Sequence, residues 1–239
     1  MFVFYRLLLA HVIGDFPLQV ASIYRFKTKS PLGPFVHSGI FGLLAVLLVW
    51  PYWNLTRMWE FIFFLWLIHG IQDWVKVVVF EKYHLDNIWV FLLDQSLHIG
   101  FIGMLFPFGL AKLTPPEVLS KMVFLYNNNN VVIYAIAFVS IGFGGGILIS
   151  YVKNLFYGSG KIDLTSPKRY IQAGERMLIV GLMSLNGYYY FAIPGIWIIH
   201  GGYVIFKKRR EERFRLSSFF DLIFNTAMAV GIMLILRVK

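Results

Sequence analysis

"LLAHVIGDFPLQ", residues 8–19, sets His11 and Asp15 four positions apart inside a stretch that is otherwise apolar enough to lie within a bilayer. Later in the chain "HGIQDW", residues 69–74, repeats the pattern with His69 and Asp73. A buried histidine and carboxylate are costly in hydrocarbon, so the reading of this pair decides what kind of helix bundle the chain builds.

The surrounding composition is that of a membrane protein. Of 239 residues 58% are hydrophobic and 14% charged, with a mean hydropathy of +0.67. A soluble core does not need that apolar excess. Eight segments have about the 20 apolar residues a crossing requires: 2–22, 33–53, 58–80, 87–111, 131–153, 169–187, 190–206 and 215–236. Pro31 and Pro34 open the second, Pro51 closes it, and Pro115, Pro116 and the run Asn127 to Asn130 part the fourth from the fifth. Residues 115–126 read as a short helix lying in the interface. The first segment lacks a small-residue cleavage site and is retained as a span. The expected fold is therefore all-α, with a metal-site half at 1–112, an interfacial linker at 113–130 and a four-helix supporting half at 131–239.

Charge orients the bundle. Arg25, Lys27, Lys29, Lys76, Lys82 and the run "KKRREER" at 207–213 all fall on one face, which the positive-inside rule makes cytoplasmic, with both termini outside. The net charge of +10 is explained by these loops and by anionic lipid, and nucleic acid is not expected as a partner. The chain has no cysteine, which excludes disulfides, thiolate metal sites and cysteine nucleophiles.

Five of six histidines and four of six aspartates fall inside the expected spans. His11 and Asp15 lie in the first span, His37 in the second, His69 and Asp73 in the third, and Asp94 and His98 in the fourth. Spacing of four puts each His/Asp pair on one helix face. Helices alternate in direction, so all seven residues reach one layer in the cytoplasmic half. Three intramembrane aspartates cost on the order of 10 kcal/mol, which interhelical hydrogen bonds of about 0.6 kcal/mol do not offset. A bound cation does, since structural zinc contributes roughly 10 to 16 kcal/mol.

The first four spans also repeat internally. "HVIGDF" (11–16) matches "HGIQDW" (69–74), and "HSGIFGLL" (37–44) matches "HIGFIGML" (98–105). The halves should be related by a pseudo-twofold axis along the membrane normal. Each offers three ligands, the pattern of catalytic zinc. Asp94 has Gly33 as its counterpart and is placed to bridge two ions or to act as a general base. Two divalent ions are expected, zinc before manganese or iron, able to activate a water between them for in-line attack at phosphorus.

At these residues the chain resembles domain-of-unknown-function family 3307, through "HVIGDFPLQ", His37, "HGIQDWVK", "FLLDQSLH" (91–98) and "RYIQAGERMLIVGLM" (169–183). It also resembles, through short His-x-x-x-Asp motifs, membrane-bound metal-dependent hydrolases and the zinc phospholipase C and single-strand nuclease group. The second resemblance implies phosphoester hydrolysis with His11, Asp15, His69, Asp73, Asp94 and His98 in ligand positions.

Glu175 and Arg176 in the sixth span sit at the depth of this layer, either as an intramembrane ion pair or, as candidate catalytic residues, with Arg176 clamping a phosphate. Lys76 reads as a lysine snorkelling to the interface in preference to a second anion contact. Asp221 and Asn225 are candidate partners of ligand histidines. The favoured function is a hydrolase of a bacterial or archaeal inner membrane, acting on a lipid or amphiphilic phosphate; the alternative is a metal-ion or proton-coupled transporter using the same layer. Membrane lipids are the expected partners, and nothing in the sequence sets an oligomeric state.

Overall fold

The computed structural model describes residues 1–83, 87–114, 124–157, 168–184, 192–207 and a few positions between 223 and 231. The described residues are helical throughout, with no strand among them, and the chain divides into two compact units, Met1–Ile136 and Ala137–Lys239.

In the first unit, α1 (Phe2–Asp15), α3 (Gly33–Leu48), α4 (Thr56–Tyr83) and α5 (Ile88–Gly103) form the bundle, and the short α2 (Ala21–Lys29) packs on α3. The unit also includes the single turn α6 (Phe124–Asn127) and the start of α7 (Asn129–Val139). Several ends differ from the sequence expectation. The first span was expected to reach residue 22, but α1 stops at Asp15, because Pro17 has no N–H to continue the ladder. Residues Ala21–Lys29 then form a separate helix that the sequence reading did not foresee. α3 gives way to a 3₁₀ turn at Trp50–Tyr52 around Pro51. α5 ends at Gly103, short of the expected 111, and the chain turns through Gly109, whose φ of 75° suits a residue without a Cβ.

Apolar and polar residues separate along the bundle axis. Phe2, Val3, Leu7 and Ala10 of α1 pack with Phe41 and Ala45 of α3, Met58, Phe61 and Leu65 of α4, and Ile102 of α5. These occupy the early half of α1 and α4 and the late half of α3 and α5. Along each helix the histidines and aspartates lie to one side of this apolar block, after Ala10 and Leu65 and before Phe41 and Ile102. Arg6 closes the apolar end. Its buried guanidinium donates to the Phe2 carbonyl and the Asn129 Oδ1, each at 2.8 Å, and to the Tyr126 carbonyl.

Two helices are long and apolar enough to cross a membrane, Thr56–Val79 and Asn129–Leu155, and Gly33–Leu48 and Ile88–Gly103 are shorter apolar helices. Large apolar side chains face outward on these elements, among them Leu43, Phe63, Trp89 and Leu93, as in a protein whose solvent is lipid.

In the second unit, the later part of α7 continues into a π-helical turn at Ser140–Gly144 and then α8 (Gly145–Tyr157), followed by α9 (Lys168–Ser184) and α10 (Ala192–Lys207). The glycine run "GFGGGILIS" serves close packing here: a Cβ at Gly142 would meet Met177, and one at Gly146 would meet Arg176. Most of the eighth expected span, with Asp221 and Asn225, lies outside the described residues, as do the charged run beyond Lys207, most of the expected interface helix at 115–126, and the junction between the sixth and seventh expected spans.

Candidate metal centre

Four helices bring all seven predicted ligands into the buried interior of the first unit: His11, Asp15, His37, His69, Asp73, Asp94 and His98 are each at most 8% exposed. At their centre four atoms form a closed ring. His69 Nε2 lies 3.3 Å from Asp15 Oδ1 and 3.4 Å from Asp73 Oδ2, and His37 Nε2 lies 3.3 Å and 3.7 Å from the same two oxygens. Ligands about 2.1 Å from a tetrahedral ion stand roughly 3.4 Å from one another, so these edges match a coordination shell. His69 Nε2, Asp15 Oδ1 and Asp73 Oδ2 have no hydrogen-bond partner among the described residues. Buried polar atoms left unpaired cost about 1 to 3 kcal/mol each, more when charged, unless something else engages them.

Around the ring are further ligands. His11 Nδ1 is 3.7 Å from Asp15 Oδ1, and both of its ring nitrogens are buried without a hydrogen bond. His98 Nδ1 lies 2.7 Å from the Asp94 carbonyl oxygen. A carbonyl only accepts, so Nδ1 carries the proton and Nε2 keeps its lone pair. That Nε2 is buried and unpaired, which is how a backbone bond on one nitrogen prepares the other for a metal. His11, Asp15 and His69, then His37, His69 and Asp73, then Asp73, Asp94 and His98 each offer three ligand atoms within 4.8 Å of one another. These groups cut across the sequence repeat, since Asp15 meets His69 and His37 meets Asp73.

Among the described residues two lysines enter the layer. Lys27, on α2, places Nζ 2.6 Å from Asp73 Oδ1 and is buried. Burial works against its ammonium, but Asp73 and then Asp15 outweigh that and hold the Lys27 pKa above the ordinary lysine value. Sequence reasoning counted Lys27 only as an orienting loop charge. Gly33 makes the contact feasible, because a Cβ there would fall on the Phe26 carbonyl and the Lys27 backbone. Lys76 places Nζ 2.6 Å from Asp94 Oδ2, which also accepts from Gln95 Nε2 at 3.1 Å. It is an inward partner of the site, and its reading as a snorkelling residue is corrected. The start of α5 is fixed by Asn87, whose Oδ1 accepts from the N–H groups of Trp89 and Val90 at 3.0 and 3.1 Å.

Gln19 is buried, with Nε2 3.4 Å from His37 Nε2. Gln72, which the sequence reading passed over, has both amide atoms buried without a hydrogen bond. It lines a cavity of about 10 Å³ with His11, His69, His98, Phe41 and Leu65, roughly the room for one water. Its signal was its place next to Asp73. Arg176, the expected phosphate clamp, is buried in the second unit, where Nε donates to the Gly142 carbonyl at 2.7 Å; its neighbour Glu175 is half-buried in the same helix.

Among known proteins, no curated protein and no solved structure matches this chain. A family model described as protein of unknown function (DUF3307) matches residues 3–126, a stretch that contains every residue of the layer. The chain belongs to that family, DUF3307.

Proposed function

We propose that the chain is a membrane-embedded, metal-dependent hydrolase acting on a lipid or amphiphilic phosphate, with a binuclear site in the cytoplasmic half of a bundle of eight crossings. The observation that carries the reading is the ring of Asp15, His37, His69 and Asp73, whose edges suit one divalent ion, beside further ligands that one such ion leaves unused. A purely structural ion would be served by four ligands. His11, His98 and Asp94 exceed that number, and His11 and His98 line a cavity, which suits chemistry and is not needed for bundle stability.

Bound divalent ions would supply Lewis acidity and a water acidified towards neutrality. The chain's own residues do the rest. Gln72 offers an amide donor and acceptor to a water in the cavity. Lys27 and Lys76 are buried or half-buried cations that can meet the charge of a phosphate. Asp94, in reach of both Lys76 and His98, is the candidate to take up a proton. The outward apolar side chains of α3, α4 and α5 suit a substrate arriving from lipid.

The transporter alternative needs a polar path through the rest of the bundle. Among the described residues the other half of each helix is filled by Leu7, Phe41, Ala45, Met58, Phe61 and Leu65, and this supports a site open to one side. The test is hydrolysis of a phosphatidate in mixed micelles by purified protein, against His69→Ala and Asp94→Asn. Metal-dependent phosphate release that both substitutions abolish is expected; release that survives both would overturn the reading.

A further inference from the structure

The helix α2 (Ala21–Lys29) stands between α1 and α3, and its two faces differ. The inward face sends Lys27 to Asp73, Nζ to Oδ1 at 2.6 Å, with Ile23, Tyr24 and Thr28 half-buried beside it. Arg25 and Lys29 stand two residues to either side of Lys27, about 200° round the helix, and so share the outward face with Ser22 and Phe26. All four of these side chains are exposed. No acidic residue lies near them in the chain, since the sequence from Phe16 to Trp59 contains neither Asp nor Glu. Arg25 Nε donates to the Ala21 carbonyl at 3.2 Å, and among the described residues neither Arg25 nor Lys29 has an ion-pair partner.

Exposed apolar side chains frame these two cations: Leu18 and Val20 precede the helix, Phe26 lies on it and Leu32 follows it. A solvated loop would carry the cations without this apolar frame. A lipid-facing span would carry the apolar side chains without the cations. Both together are the pattern of a helix lying in a lipid interface, its apolar side chains among acyl chains and its cations among phosphates.

We infer that α2 is a binding surface for anionic phospholipid, with Arg25 and Lys29 on the headgroup phosphates and Leu18, Val20, Phe26 and Leu32 in the acyl layer. The inference rests on the membrane reading above and needs no metal. Charge selects the headgroup: a zwitterionic one brings an ammonium with every phosphate, whereas a net anionic one answers two cations that have no acid beside them. The same nine-residue helix carries Lys27 on its other face, so lipid held outside also holds Lys27 against Asp73. The seat is close enough to transmit this, because at Gly33 the α3 backbone approaches Phe26 and Lys27 too nearly to admit a Cβ. Anionic lipid is thereby gathered at the edge of the His/Asp layer.

The chain has no cysteine, so a single introduced one can carry a fluorescent probe. Ser22→Cys places it on the outward face of α2, and Leu43→Cys places it on the exposed side of α3 as a reference. The full chain is held in phosphatidylcholine nanodiscs containing a small fraction of lipid that bears a nitroxide quencher in its acyl chain, with either a phosphatidylglycerol or a phosphatidylcholine headgroup. Phosphatidylglycerol is expected to quench the Ser22 probe roughly fivefold more effectively, the factor for one basic residue held at an anionic surface. The Leu43 probe is expected to be quenched equally by both. Adding Arg25→Gln with Lys29→Gln should remove the preference, and Arg25→Lys with Lys29→Arg should keep it, which separates loss of charge from loss of fold. Equal quenching of the Ser22 probe by the two lipids, or a preference that survives the glutamine pair, overturns the inference and leaves the membrane reading standing. A Leu43 probe that neither lipid quenches overturns both.

Discussion

His69 on α4 and Asp15 on α1 belong to different halves of the sequence repeat, yet His69 Nε2 stands 3.3 Å from Asp15 Oδ1, with no hydrogen bond to either atom. Two polar atoms this close and this buried stand at the distance of an ion pair or of two ligands of one ion. A proton shared between them or a cation coordinated by both would satisfy them. The second ring edge on His69, 3.4 Å to Asp73 Oδ2, favours the cation, because one imidazole nitrogen cannot donate a single proton well to two carboxylates.

Lys27→Met leaves Asp73 buried without its counter-ion. Breaking a buried pair on one side costs about 3 to 5 kcal/mol, and the loss should appear as a lower unfolding temperature in detergent. Because a divalent ion also compensates Asp73, saturating metal should return part of that loss. Lys27→Met combined with Asp73→Asn should be more stable than Lys27→Met alone. An additive double variant would show that the pair is not energetically coupled.

Gly33→Ala forces α2 away from α3, since the new methyl lands on backbone and no flexible side chain can yield. A cost of about 1 to 3 kcal/mol is expected, of the size seen for overpacking. Limited proteolysis should then cut within Ala21–Lys29 faster than in wild type. An unchanged cleavage pattern would mean that α2 does not depend on this contact.

Asn87→Ala removes the side-chain acceptor for two N–H groups at the start of α5. The helix carries Asp94 and His98, so a loss of about 1 kcal/mol in stability should come with weaker metal binding. Asn87→Asp, which keeps the acceptor, should restore both. Weakened binding in Asn87→Asp as severe as in Asn87→Ala would argue that the cap is not the cause.

Metal affinity should fall as the pH drops. Four imidazoles stand in the layer and must be neutral to ligate, so protons compete with the ion as the pH falls. The sign is fixed: bound metal per chain rises with pH. Equilibrium dialysis against zinc at a series of pH values reads it directly. Bound metal that does not fall as the pH is lowered would contradict imidazole ligation.

The layer itself was legible in the sequence because helical geometry converts His-x-x-x-Asp spacing into one face, and the alternation of helix direction then sets depth. All seven residues of the layer could be named from that logic. What failed was anything set by tertiary packing. Lys27 looked like a solvated loop charge, since nothing local shows that Ala21–Lys29 folds back over α3 through Gly33. Lys76 has the stem of a snorkelling residue, and only the position of α5 reveals that Asp94 is within reach. The repeat suggested that each half keeps its own ligands, whereas the helices interleave them, an arrangement set by which helices touch. Helix ends were misjudged where apolar residues run past a stop, as at Pro17, because hydropathy records solvent preference and says nothing of a missing N–H.

The central claim is that the His/Asp layer holds a metal ion. Elemental analysis of protein purified in detergent, wild type beside His69→Ala of equal helical content, tests it most directly. At least one transition-metal ion per chain in wild type and close to none in His69→Ala is the predicted result. Wild type with no stoichiometric metal, even after reloading with zinc, would contradict it.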